Sequence, residues 1–178
     1  LTGLQPADAG MSRRDIDRVA VIGAGDDDAA RRVWIVAQCH DLAAATDDTY
    51  ARTLTATIAR LGLRDAVHVA GQVRDVTRFV RAWSLFVSLS SDEGQGLAVL
   101  EAMALGVPVA ARRVAGIEDF LDHGRTGWVL PTAGAAATAA AMQRALAAPE
   151  TRAVTRRARA MIERRFDWDT MVQRFDRL

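Results

Sequence analysis

The 178-residue chain contains no lysine: all 23 of its Lys and Arg positions are arginine. Any basic residue that meets a phosphate in this protein must therefore do so through a planar guanidinium fork rather than a point charge. Cysteine is nearly absent too. Cys39 stands alone, which excludes an internal disulfide and suits a reducing, cytoplasmic setting. No apolar run approaches the length of a membrane span, and the N-terminus has no basic-then-apolar leader pattern. With a net charge of +1 there is no global attraction to nucleic acid, and no nucleic-acid partner is expected. The chain opens on Leu1, as a processed product or a piece of a longer protein would. Half of it is hydrophobic and a quarter charged, the balance of a globular protein with one well-formed core over residues 1–178.

What is present is an alternation of strand and helix patterns. Val33 to Ala37 is a continuous apolar run of the kind buried in parallel sheets. A helix follows from Thr49 to Leu61, with Leu54, Ile58 and Leu61 as its inner face and Gly62 at its end. Val67-His68-Val69 is a short strand that leads into Gly71-Gln72-Val73. Asp75 to Trp83 forms a short helix, and Leu85 to Leu89 the next strand. Further on, Val107 to Ala111 and Trp128 to Leu130 read as strands. Gly134 to Ala148 and Glu150 to Arg165 read as helices, the first semi-buried. This order predicts an α/β fold with a doubly wound, parallel, Rossmann-like sheet. Ligands of such sheets bind beyond the carboxyl ends of the strands. Asp15 to Ala30 fits a helical face through Ile16, Val19 and Ala20 as well as it fits a strand through Val19 to Ile22.

The most informative stretch is Ser90 to Pro108. A glycine loop, Glu93-Gly94-Gln95-Gly96, follows a strand and opens a helix on which Leu97, Leu100 and Ala104 share a side. Gly106 and Pro108 end that helix. Free N–H groups and the positive end of the helix dipole would there meet at one point, as a diphosphate requires. Glu101 lies about 7 Å along the axis from the helix start, at ~1.5 Å per residue. A carboxylate is repelled by phosphate but can accept two hydrogen bonds from a vicinal diol, so Glu93 and Glu101 suit sugar hydroxyls on either side of a diphosphate.

These residues resemble the donor-binding signature of the retaining group 1 glycosyltransferases of GT-B fold. There a Glu-Gly-Phe-Gly loop precedes a Leu-Glu-Ala-Met-Ala helix and the two glutamates are separated by seven residues, as Glu93 and Glu101 are. Ala115-Gly116-Ile117-Glu118-Asp119 resembles the Gly-Gly-Ile-Pro-Glu loop of that family, and His123 to Trp128 its Asn-Gly-x-Thr-Gly turn. The resemblance implies one half of a GT-B architecture, the half that binds a nucleotide-diphosphate sugar for glycosyl transfer with retention and without a metal or other cofactor. It implies that Glu93 is catalytic and holds the sugar, that Gly94, Gln95, Gly96 and Leu97 line sugar and diphosphate, and that Glu101 holds the ribose. Gly71, Gln72 and Val73 would lie against the base. The family's phosphate-binding arginine and lysine have one counterpart, Arg14 (or Arg13), and Gln95 replaces the usual phenylalanine.

The same resemblance favours a helix over Asp15 to Ala30. It also implies that an N-terminal acceptor domain is the missing partner, because none of His40, His68 and His123 suits the family's catalytic histidine. The terminal helices, residues 151–178, would pack toward that domain, so that Phe166, Trp168, Met171 and Phe175 lack their cover here. Six arginines between Glu150 and Arg165 form either a solvated helix face or a surface drawn to an anionic membrane, since many relatives use lipid acceptors. The alternative to a transferase half is a non-catalytic nucleotide-binding or interaction module that kept the fold.

Overall fold

The computed structural model of the chain describes residues 21–24, 33–36, 48–71 and 76–167. Two three-stranded sheets carry the architecture. The first contains β1 (Val21–Ala24), β2 (Val33–Val36) and β3 (Val67–Gly71). The second contains β4 (Phe86–Ser88), β5 (Val109–Arg112) and β6 (Trp128–Leu130), all parallel. β1 lies beside β4, so the strands read β3-β2-β1-β4-β5-β6 across the molecule, the order of a doubly wound fold.

The helices are α1 (Asp48–Arg60), α2 (Val76–Arg81), α3 (Leu97–Ala104), α4 (Ala115–Glu118), α5 (Ala135–Ala147) and α6 (Thr151–Arg165). Five of them match the helices expected after Thr49, Asp75, Gly96, Gly134 and Glu150; α4 is a short helix where a loop was expected. The helix expected over Asp15 to Ala30 is corrected where it is described: residues 21–24 are a strand. Its pairing with β2 is antiparallel, with Val21 opposite Val36 and Ala24 opposite Val33. The reason is connection length. Only residues 25–32 separate the two strands, and a parallel crossover needs about a dozen or more, so a hairpin is the pairing open to them. β2 and β3 are parallel as expected.

The second sheet is buried on both faces, which is why Phe86, Val87 and Ser88 are all inaccessible rather than alternating. Phe86, Val109 and Ala111 face one core with Val99, Met103, Ile117, Phe120 and Met161. Leu85, Val87, Ala110, Trp128 and Leu130 face the other, closed by Ala141 and Ala145 of α5 and Val154 of α6. Alanines let α5 approach the sheet closely on one side while its opposite side stays exposed. α3 is sandwiched between the sheet and α6 and buries Val99, Leu100, Ala102 and Met103. It ends in a Schellman turn: Val107 N–H donates to the Ala102 carbonyl (3.0 Å) and Gly106 N–H to that of Met103 (3.1 Å). Pro108 then leads into β5. Two apolar side chains depart from expectation. Leu61 follows the last turn of α1 and is exposed, and so is Leu97, the first residue of α3.

Phe166 is half-buried against the core of this chain. Its ring meets Phe120 edge-on at 5.9 Å, and the Arg165 guanidinium lies 5.6 Å from its centroid. Trp168, Met171 and Phe175 lie outside the described residues. No helix among the described residues is long and apolar enough to cross a membrane.

Candidate functional site

The loop after β4 is built from its glycines outward. Gly96 sits at the N-cap of α3 with φ 63° and ψ 40°, a left-handed conformation that costs an L-residue about 1–2 kcal/mol. A β-carbon there would also come within 2.8 Å of Ile117 Cγ1. Gly96 is thus required by backbone handedness and by packing against α4, rather than by the approach of a ligand. Gly94 is different: nothing lies within 4 Å of where its β-carbon would be. It opens onto free space at the exposed tip of the loop, beside the exposed Gln95.

No side chain caps α3. The Gly96 carbonyl accepts from the N–H groups of Val99 (2.9 Å) and Leu100 (3.1 Å), while those of Leu97 and Ala98 find no acceptor among the described residues. Such uncapped donors, with the helix dipole behind them, are an anion-binding arrangement. Leu97 itself is 60% exposed, a large apolar side chain standing over the helix entrance. Glu93 is half-buried in the loop and Glu101 is exposed one turn up the helix.

The loop after β5 meets the loop after β4 directly. A β-carbon on Gly116 would collide with the Glu93 carbonyl oxygen and lie 2.8 Å from the carbonyl carbons of Glu93 and Gly94. So α4 leans on the peptide that carries Glu93, and Ala115 to Asp119 belongs to the same assembly as Glu93 to Leu97. Beneath it, Arg112 closes β5 by donating from Nη1 to the Leu89 carbonyl at 3.0 Å, and its Nε is buried without a partner. Ser88 and Ser90, both buried, contact each other through their hydroxyls at 3.4 Å. The role of Gly116 was legible only as a match to a family glycine; what it touches depends on the fold.

Of the other expected site residues, Gly71 is the last residue of β3. Arg14, Gln72 and Val73 lie outside the described residues, as do Arg13 and His40. His123 is a turn component: its Nδ1 accepts the Val129 N–H at 3.0 Å, which leaves the ring proton on Nε2 and ties the turn to β6. Among the described residues no group of three His, Cys, Asp or Glu side chains is placed to hold a metal ion.

A family model, "Glycosyl transferases group 1", matches residues 27–148. The chain belongs to the group 1 glycosyltransferases. Among curated members of that family it is 34% identical over 121 residues to the D-inositol 3-phosphate glycosyltransferase of Saccharomonospora viridis, covering 66% of this chain and 28% of that protein. It is 36% identical over 77 residues to the N-acetyl-alpha-D-glucosaminyl L-malate synthase of Bacillus anthracis, covering 43% and 20%. Among solved structures, Anabaena HepE in complex with UDP and glucose superposes with a TM-score of 0.67 at 28% identity, over 74% of this chain and 36% of that one. The sucrose-phosphate synthase of Thermosynechococcus elongatus does so with a TM-score of 0.70 at 27% identity, over 81% and 36%. The fold is thus the Rossmann-like unit of the GT-B glycosyltransferases. This group 1 chain spans 20% and 28% of the lengths of the two curated relatives.

Proposed function

We propose that this chain is the donor-binding half of a retaining glycosyltransferase and binds a nucleotide-diphosphate sugar. The observation that carries the reading is the entrance to α3: a left-handed Gly96 turns uncapped N–H groups outward at the carboxyl end of β4, with one glutamate on each side. In this reading the amides of the loop and of Leu97 grip the diphosphate, Glu93 holds the sugar at the reacting carbon, and Glu101 takes the ribose diol. Gly71 to Val73 flank the base, and Arg14 supplies the positive charge for which the family uses arginine and lysine. As the glycosyl bond breaks, charge grows on the departing nucleoside diphosphate, where fixed N–H donors and the helix dipole stabilise it without reorganising. No metal or other cofactor is needed for that step. HepE, a relative of the same fold, was crystallised with UDP and glucose, which puts UDP-sugars first among donors to try.

The reading includes an N-terminal acceptor domain as partner, supplying the face across the donor cleft, and a cytoplasmic location. It also includes peripheral contact with an anionic membrane through the arginine-rich α6, whose exposed side carries Arg152 and Arg156. Isothermal titration with a panel of UDP-, GDP- and ADP-sugars tests the donor site. Saturable binding to one class, lost in Glu101→Ala, is the expected result. Silence across the panel would leave a non-catalytic module that kept the fold.

A further inference from the structure

A cleft of about 580 Å³ lies between the segment 113–126 and α6, and five arginines line it: Arg113, Arg125, Arg157, Arg164 and Arg165. Three carboxylates, Glu118, Asp119 and Asp122, share it, so the charge there is not neutralised. The geometry divides these arginines by task. Arg157 donates from Nε to the Arg125 carbonyl (3.0 Å) and from Nη2 to that of Gly124 (3.1 Å), and Arg165 donates from Nη1 to that of Asp119 (3.2 Å). A neutral carbonyl fixes the position of a guanidinium but cancels none of its charge. Each of the two therefore keeps N–H donors for another acceptor. Arg125 approaches Asp122 at 3.7 Å with both side chains well exposed, a weak pairing in water. Arg113 and Arg164 have no hydrogen-bond or ion-pair partner among the described residues.

Two fixed guanidinium forks and two uncommitted ones lining one cleft suit a tetrahedral oxyanion, because each fork can give two parallel N–H bonds to one phosphate. We propose that this cleft is a second anion site that recognises a phosphate group, separate from the entrance of α3. The phosphate has two available sources, a soluble phosphate ester or the headgroup of an anionic lipid. The proposal does not depend on the donor-site reading.

The test is titration calorimetry with inorganic phosphate of the parent chain and of cleft variants that leave the entrance of α3 untouched. The expected result is saturable binding weakened at least roughly tenfold by the double variant Arg113→Gln/Arg164→Gln, since even one lost charge-assisted hydrogen bond is worth about that much. Both side chains are exposed and unpartnered, so the variant should melt at the parent temperature. Arg60→Gln/Arg64→Gln, both exposed and neither lining the cleft, should bind phosphate as the parent does. Flotation with phosphatidylcholine vesicles, with and without phosphatidylglycerol, separates the sources. Anionic-vesicle binding lost with the cleft pair identifies a headgroup; phosphate binding without vesicle binding identifies a soluble ester. No phosphate binding, or equal weakening by the control pair, overturns the proposal.

Discussion

Replacing Gly116 by alanine would set a methyl group against the peptide that joins Glu93 to Gly94. The new β-carbon would lie 2.8 Å from two backbone carbons and closer still to the Glu93 carbonyl oxygen, and real side chains do not tolerate such approaches. Because the opposing atoms are backbone, no rotamer change relieves the clash; either α4 or the Glu93 loop must move. Overpacking of this kind costs about 1–3 kcal/mol. At ~2 kcal/mol, and with roughly 2–4 °C per kcal/mol for a chain of this size, the melting temperature should fall by about 4–8 °C. Ile117, next to the last residue of α4, is fully buried, so retreat of α4 would also open the core, and the loop is the part that yields more easily. Donor affinity should then drop together with stability. The assay is differential scanning calorimetry paired with titration of the donor found in the panel. A variant that melts within 1 °C of the parent and binds the donor equally well would refute the contact between the two loops.

Gly94→Ala makes the opposite case: with open space around it, stability should change by less than about 0.5 kcal/mol, while donor binding weakens because the added methyl stands in the opening. Urea unfolding and titration together check this. Thr126→Val should destabilise by about 1–3 kcal/mol, since the buried hydroxyl donates to the Phe120 carbonyl (2.7 Å) and accepts from the Asp122 N–H (2.8 Å); a urea midpoint unchanged from the parent would contradict it. Met103→Ala, at a fully buried position in the main core, should cost about 2–5 kcal/mol, read from the same unfolding curves.

The helix after the glycine loop could be read from its residues because three local signals agree: a glycine entrance, an apolar period and a Gly-then-Pro exit. The same holds for the strands of the second sheet, whose unbroken apolar runs fit burial on both faces. Residues 21–24 could not be read that way. Four apolar residues serve a helix face and a strand equally, and the choice is made by the short link to β2 and by neighbours far away in sequence. Leu97 shows the limit of periodicity within a helix. It falls on the apolar side by spacing, yet as the first residue of α3 it is exposed, while Val99 and Leu100 of the same turn are buried. The contact of Phe166 is illegible for the converse reason: its ring partner, Phe120, comes from a turn 46 residues earlier, which no local pattern reveals. In the candidate site the glutamates and glycines were visible by type and spacing. The reason for Gly96 was not, because its partner Ile117 belongs to α4, 21 residues further along the chain.

That the turn carrying Gly116 leans straight on the Glu93 peptide has a practical consequence. The two crossings from strand to helix at this end of the sheet form one mechanical piece, so neither can be lengthened, stiffened or re-angled alone. Anyone recasting the chain toward a different sugar would have to exchange both segments as a matched set, and grafts of the Glu93 segment by itself should arrive misaligned.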